Sequence, residues 1–212
     1  MVNSTMSKYS KVRNMNGMTG AEAARRILNQ EGLYNVQIEC LKNSSGDHYD
    51  PRTNTVRLSY NNYNSATVTA VSVAAHECGH AIQHAKGYAP LSIRSALVPV
   101  VNIGSNLGLP LILLGVLLSW NQTLIQIGIW AFALSVIFQL VTLPVEFNAS
   151  RRAIETIEGQ GLLYDDEIHG AKKVLRAAAM TYVAALLMSM LQLLRYVLIF
   201  AGRGGSRGGG RE

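Results

Sequence analysis

The hydrophobic pattern divides the chain into a mixed first half and a second half dominated by long apolar runs. In the first half, residues 19–32 follow helical periodicity, Thr19 and Glu22 form a capping box, and Gly32 supplies a stop. These signals predict an amphipathic helix over this segment.

Two alternating segments follow, residues 34–40 and 55–60, and such alternation is typical of half-buried strands. A turn is predicted between them at residues 44–47, so we expect a short antiparallel pair. Residues 65–85 then combine Ala, Val, Thr and Ser with a cluster of His and Glu, and Gly87 stands where a helix should end. This last segment is predicted to be the functional helix.

Three long apolar runs occupy the second half. Residues 97–120 and 124–145 contain no Lys, Arg, Asp or Glu, and each is close to the ~20 residues that cross a bilayer. Because their linker is short and uncharged, the two spans are predicted to form a hairpin that returns to the side it left. A third span is predicted over residues 177–201, in which Gln192 and Arg195 are the strongly polar residues.

Composition and charge fit a membrane protein better than a nucleic-acid-binding one. Hydrophobic residues make up 49% of the chain, charged residues 15%, and the formal net charge is +6. Residues 1–96 and 146–176, which the spans place on one face, hold 15 of the 19 Lys and Arg, so the positive-inside rule makes that face cytoplasmic. Residues 202–212 are predicted to be a flexible Gly- and Arg-rich tail, and we expect no nucleic-acid partner.

The segment AHECGHAIQH carries the candidate chemistry. On a helix, His76 and His80 project from one face and can bind a single zinc ion, with Glu77 beside them. Glu77 is the candidate general base that takes a proton from metal-activated water, which points to amide hydrolysis. Cys78 lies about 200° around the helix from His76 and is predicted to be a core thiol.

A catalytic zinc site usually has a third protein ligand. His84 is the nearest candidate, but it lies roughly 12 Å beyond His76 along the helix axis. The predicted hairpin returns the chain to the same face just before Glu146, which we therefore take as the third ligand. A helix acid in a first turn is the alternative interpretation of this residue.

Other polar residues allow more than one interpretation. The segment GDHYDP could form a second metal site through Asp47, His48 and Asp50, but we favour an ordinary turn there. The oxyanion could be stabilised by any of three residues, among which spacing does not choose: His169, Arg151 and Tyr182.

Five separated blocks resemble the YugP-like neutral zinc metallopeptidases of bacterial membranes: TGAEAARRIL, DHYDPRTNTVRLS, AAHECGHAIQH, TLPVEFNASRRA and GAKKVLRAAAMTYVAALL. Their order also resembles the wider group of gluzincins that contains CaaX prenyl endopeptidases and heat-shock membrane proteases. The resemblance implies zinc ligation by His76, His80 and Glu146, with Glu77 as base.

Two departures accompany this resemblance. In the wider group an Asp commonly follows the ligand Glu by four residues and steadies a metal-binding His, whereas this chain has Ser150. Family members also tend to begin with another apolar span, so a trimmed start is expected.

These observations predict a mainly α fold of membrane helices with a minimal zincin-like catalytic unit that carries a small antiparallel hairpin. The expected parts are residues 1–96 (catalytic unit with the motif helix), 97–145 (membrane hairpin), 146–176 (catalytic unit with the third ligand), 177–201 (membrane helix) and 202–212 (tail). The expected activity is zinc-dependent peptide hydrolysis in the cell membrane, on peptide or membrane-protein substrates. A non-catalytic zinc-binding scaffold or adaptor is the alternative.

Overall fold

The computed structural model describes residues 2–42 and 46–204, which form seven helices and one small sheet. In chain order these elements are α1 (Val2–Tyr9), α2 (Gly20–Gln30), β1 (Gln37–Leu41), β2 (His48–Asp50), β3 (Thr55–Ser59), α3 (Tyr60–Asn64), α4 (Val68–Ala85), α5 (Ala89–Leu117), α6 (Gln122–Gly159) and α7 (Asp165–Gly204). The predicted mainly helical class is confirmed.

The first predicted helix is confirmed together with its local signals. Thr19 caps α2 by accepting from the backbone N–H of Glu22, and the Glu22 carboxylate accepts from the backbone N–H of Thr19. This reciprocal pair satisfies two N–H groups that have no partner inside the helix. After α2, Gly32 adopts a positive φ of 72°, a conformation that glycine enters without a Cβ clash.

The sheet differs from the expected antiparallel pair. Its order is β1-β3-β2, with β1 parallel to β3 and β2 antiparallel to β3. The predicted antiparallel pairing of residues 34–40 with 55–60 is therefore wrong. A strand that lies between them in the sequence, His48–Asp50, is the antiparallel neighbour of β3. The turn predicted at residues 44–47 lies partly outside the described residues, since the structure does not describe residues 43–45.

The second and third predicted apolar runs lie within α6 and α7, whereas α5 ends at Leu117, three residues before the end of the first run. All three helices are long and apolar enough to cross a membrane. The break between the first two runs is confirmed: Ser119 and Trp120 adopt positive φ values of 53° and 62°, and the Asn121 side chain accepts from the Leu124 N–H. The helices are longer than the runs, because segments that contain charged residues continue them beyond their apolar parts.

The chain divides into two compact units. One contains the residues up to Ser92 together with Pro144–Thr181, and the other contains Ile93–Leu143 together with the residues from Tyr182 onward. The core of the first unit consists of apolar residues from α2, β3, α4 and the parts of α6 and α7 that belong to it. In the second unit, α5 and α6 approach closely, because a Cβ on Gly128 would lie 2.7 Å from the Gly108 carbonyl oxygen.

Candidate metal centre

Helix α4 brings the two motif histidines onto one face. Thr67 caps its first turn by accepting from the Ala70 N–H, and the helix then runs without a proline to Ala85. His76 and His80 are one turn apart, with ring centroids separated by 4.9 Å. The helix beyond them ends where Gly87 adopts a φ of 63°.

Glu146 on α6 completes a cluster with these histidines. Its Oε2 lies 3.1 Å from Nε2 of His76 and 3.7 Å from Nε2 of His80, and its side chain is only 2% exposed. Within the described residues, these three side chains form the one group found that could hold a metal ion, with ligand atoms all within 4.8 Å. The structure thus brings together the three residues expected to be ligands.

A glycine inside the motif allows α6 to approach this closely. A Cβ on Gly79 would lie 2.7 Å from the carbonyl oxygen of Ala149 and 3.3 Å from its Cα. Contacts this short to backbone atoms do not relax without moving a helix. Gly79 therefore sets the separation at which Glu146, three residues before Ala149, meets the two histidines.

Polar side chains contact the Nδ1 atoms of both histidines. The Ser150 hydroxyl lies 3.2 Å from Nδ1 of His76, and Oε1 of Gln83 lies 2.9 Å from Nδ1 of His80. Ser150 stands where the wider group commonly has Asp, and it contacts the histidine nitrogen from that position. With both Nδ1 atoms occupied, the Nε2 atoms are the ones that face Glu146.

Glu77 is buried but keeps its carboxylate unpaired. Glu77 is 7% exposed, and its carboxylate makes no hydrogen bond to any residue in the part of the chain that the structure describes. Burial by itself lowers the pKa of neighbouring His80, but the nearby negative charges of Glu77 and Glu146 raise that pKa overall. A carboxylate without a protein partner beside two histidines can accept a hydrogen bond from water.

The donor set fits zinc. Ligand atoms in a tetrahedral site with bonds of about 2 Å are about 3.3 Å apart, and the two histidine–carboxylate distances, 3.1 and 3.7 Å, bracket this value. Two imidazole nitrogens and one carboxylate oxygen are also the three protein ligands of one common class of catalytic zinc site. His76, His80 and Glu146 are thus the residues that could hold the ion.

His84 makes a different contact. Its Nδ1 lies 2.8 Å from the hydroxyl oxygen of Tyr49 on β2, and that hydroxyl donates its hydrogen to Oδ1 of Asn54. Burial and the charge of Asp50 raise the pKa of Tyr49 to about 12, so this hydroxyl keeps its proton. His84 therefore links the sheet to α4 and does not join the cluster.

The GDHYDP segment forms a strand where the sequence predicted a turn, and the turn follows it at residues 51–54. Asp47 accepts from the Ser59 N–H and from Asn62, so it anchors β3 to α3. Burial raises the pKa of Asp50, but hydrogen bonds from the Arg52 backbone and the Arg57 guanidinium outweigh it and lower this pKa to about 2. Both carboxylates have structural partners.

The remaining predictions have mixed outcomes. Cys78 is fully buried against α2, with Sγ 3.7 Å from the Ala24 carbonyl oxygen, which confirms the predicted core thiol. Arg151 is exposed and pairs with Glu155, while His169 is exposed on α7. Tyr182 belongs to the other compact unit. The oxyanion-stabilising residue stays open.

Sequence reasoning missed Gly79 and Gln83, whose importance depends on α6. The available signal was small: a glycine between the two histidines, and a buried-type helix position occupied by a glutamine one turn after His80. Neither signal identifies its partner, because the contacting residues lie more than 60 positions away.

Comparison with known proteins identifies the class. The chain matches the family described as "Putative neutral zinc metallopeptidase" over residues 1–201, and it belongs to this family. It is also 50% identical over 199 residues to the "Putative membrane protease YugP" of Bacillus subtilis (strain 168), covering 94% of this chain and 88% of that protein. No solved structure matches. The family and the relative support a protease role, with zinc as the metal that the family name indicates.

Proposed function

We propose that the chain is a zinc metallopeptidase of the HExxH gluzincin type, in which His76, His80 and Glu146 hold one zinc ion and Glu77 is the general base. The observation that carries this proposal is the convergence of two imidazole nitrogens and one carboxylate oxygen within 4.8 Å. Three protein ligands leave one position for water or substrate, as is typical of catalytic zinc, whereas structural zinc has four.

Glu77 does the proton transfer in the proposed reaction. A bound zinc ion supplies a Lewis acid that polarises the scissile carbonyl and acidifies water. Glu77 takes the proton of the attacking water and passes it to the leaving amine, so that the peptide bond breaks into a carboxylate and an amine. The absence of a hydrogen-bond partner for the Glu77 carboxylate among the described residues supports this role.

The sheet offers an extended peptide a strand edge beside α4. The order β1-β3-β2 gives β2 a single neighbour among the described strands. The contact between Tyr49 and His84 ties this strand to α4. The substrate is therefore proposed to add as a further strand along β2, where backbone hydrogen bonds align it with the motif helix.

The membrane setting is part of the proposal. Three helices are long and apolar enough to cross a bilayer, which supports a multi-pass protein in the cell membrane. The excess of Lys and Arg in residues 1–96 and 146–176 supports a site that faces the cytoplasm. Peptides at or near the membrane are the proposed substrates, and the division into five parts stays a prediction.

Zinc affinity tests the ligand set in the full chain, by competition with a fluorescent chelator in detergent. His76→Ala and Glu146→Ala are each expected to weaken zinc binding more than about 100-fold. This loss is larger than the loss expected when a residue that only hydrogen-bonds to a metal ligand is removed. The exposed His84 on α4 and the exposed Glu155 on α6 provide matched controls, since His84→Ala and Glu155→Ala should bind zinc like the wild type. Unchanged affinity in a ligand variant would contradict the assignment.

Peptide cleavage distinguishes the enzyme from the scaffold. A mixture of quenched fluorescent peptides should be cleaved by the zinc-loaded chain, lose cleavage on chelation and regain it with zinc. A chain that holds one zinc ion through His76, His80 and Glu146 yet cleaves no peptide or membrane-protein substrate would favour the scaffold.

A further inference from the structure

Gln83 is a fully buried polar residue in contact with both helices of the metal centre. It lies on α4, one turn after His80, and none of its surface is exposed. Its Nε2 lies 2.9 Å from the Val145 carbonyl oxygen and 2.9 Å from Oδ1 of Asn148, while its Oε1 lies 2.9 Å from Nδ1 of His80. Every polar atom of this amide is therefore engaged.

The orientation of this amide follows from two groups whose chemistry is unambiguous. The Val145 carbonyl can only accept a hydrogen bond, and the Nε of Arg152 can only donate one. Arg152 donates to Oδ1 of Asn148 at 2.8 Å, which identifies that atom as the amide oxygen. The Gln83 atom that faces both acceptors must then be its NH2 group.

The remaining atom of Gln83 fixes the tautomer of His80. Because the NH2 group is directed at α6, the atom that faces His80 is a carbonyl oxygen, which can only accept. A hydrogen bond at this place requires the hydrogen on Nδ1. In a neutral imidazole, Nε2 then carries the lone pair, and Nε2 is the atom that faces Glu146.

We infer that Gln83 is a positioning residue that holds His80 in the Nδ1–H tautomer and so presents Nε2 to the metal. This inference rests on the proposed function, because it assigns Gln83 a role toward the same ion. Zinc-binding histidines depend on such partners for ring orientation and tautomer.

The Gln83 side chain also positions α6, the helix that carries Glu146. Val145 directly precedes Glu146, and Asn148 follows it by two positions, so the two α6 acceptors flank the carboxylate ligand in sequence. One amide thus restrains a ligand on each helix. Ser150 cannot supply the same selection at His76, because a hydroxyl can donate or accept and therefore tolerates either tautomer.

Long-range nitrogen NMR of the metal-free, full-length chain tests the inference directly. With labelled histidine at alkaline pH, where imidazoles are neutral, the wild-type His80 signals should show a protonated Nδ1 and a bare Nε2. Gln83→Leu should lose this preference and bind zinc 10- to 100-fold more weakly. The exposed Gln30 gives the matched control, since Gln30→Leu should change neither measurement.

Gln83→Glu separates tautomer selection from the contacts with α6. Its carboxylate still accepts from Nδ1 of His80, so the tautomer should return even though the two donors to α6 are lost. If circular dichroism shows that Gln83→Leu does not fold, the spectra of Gln83→Glu and of the wild type still test whether position 83 selects the tautomer of His80. A wild-type His80 with its hydrogen on Nε2, or a Gln83→Glu chain that loses the Nδ1–H form, would overturn the inference.

Zinc affinity of His80→Ala keeps this result separate from the proposed function. If that variant binds zinc like the wild type, the proposed ligand set is wrong. If His80→Ala loses zinc but folded Gln83→Leu retains wild-type affinity and tautomer, the ligand set stands and the inference about Gln83 fails.

Discussion

Adding one methyl group to Gly79 should weaken zinc binding without removing any ligand. Gly79 lies on α4 between the two proposed histidine ligands, and its position against Ala149 sets the distance to α6. In Gly79→Ala, the new Cβ would meet the Ala149 carbonyl oxygen at 2.7 Å. Neither partner is the flexible end of a side chain, so the helices must separate.

The size of the effect follows from that contact. Ordinary van der Waals contact begins at 3.4 Å, so the helices must move apart by 3.4 − 2.7 = 0.7 Å. Zinc sites accept deviations of about 0.2 Å in their ligand distances. Overpacking costs about 1–3 kcal/mol, and every 1.4 kcal/mol is a factor of about ten in affinity. Zinc affinity is thus expected to fall about 5- to 150-fold.

Overall stability should change less than zinc affinity. The helices of the metal-free chain are free to separate, so zinc binding and not unfolding carries most of the overpacking cost, and alanine is better than glycine inside a helix by about 1 kcal/mol. The gain does not enter zinc affinity, because the helix is present with and without the metal. Thermal unfolding of the metal-free chain and chelator competition for zinc measure the two quantities separately.

Gly159 on the same α6 helix supplies the control, since nothing lies within 4 Å of the Cβ it would gain. Gly159→Ala should bind zinc like the wild type. If Gly79→Ala also binds zinc with wild-type affinity, the close contact with Ala149 does not control the ligand geometry, and the reasoning is refuted.

Two further predictions concern the first compact unit. Burial raises the pKa of the Cys78 thiol, so a maleimide should label the partly exposed Cys40 in the folded chain and label Cys78 only after denaturation. Mass spectrometry of the labelled peptides measures both, and equal labelling of the two cysteines in the folded chain would count against the fold. Hydrogen bonds hold the pKa of Asp50 at about 2, below its ordinary value of 3.8, so its stabilisation is complete above about pH 4 and is lost as pH falls toward 2. Ion pairs near the surface contribute about 1 kcal/mol at most, so we expect Asp50 to add no more than this to the free energy of unfolding. Thermal unfolding at pH 5 and pH 3 should therefore show a smaller acid-induced loss in Asp50→Asn than in the wild type, and equal losses would contradict it.

The sequence predicted the parts of the fold that depend on local chemistry. The capping box of Thr19 and Glu22 lies within four residues, and the HExxH histidines share a helix face by periodicity alone. Apolar runs identified the three long helices for the same reason, because about twenty consecutive, predominantly apolar residues need no partner to be recognised.

The parts that the sequence did not predict depend on distant partners. Alternation in β1 and β3 identified strands but not their direction, which follows from the three-residue strand β2 that pairs antiparallel with β3. Ser150 departed from the pattern of the wider group, and only its distance to His76 reveals a contact there. The contacts of Gln83 could not be predicted for the same reason, since its partners lie on α6.

The most direct test of the central claim is the cleavage rate of zinc-loaded Glu77→Gln relative to the wild type. The amide has nearly the same shape but cannot accept the proton from water, and general acid–base groups contribute about 10²- to 10⁴-fold. We expect the variant to hold one zinc ion per chain through His76, His80 and Glu146 and to cleave peptides at least about 100-fold more slowly. A zinc-loaded Glu77→Gln that cleaves at the wild-type rate would contradict the account.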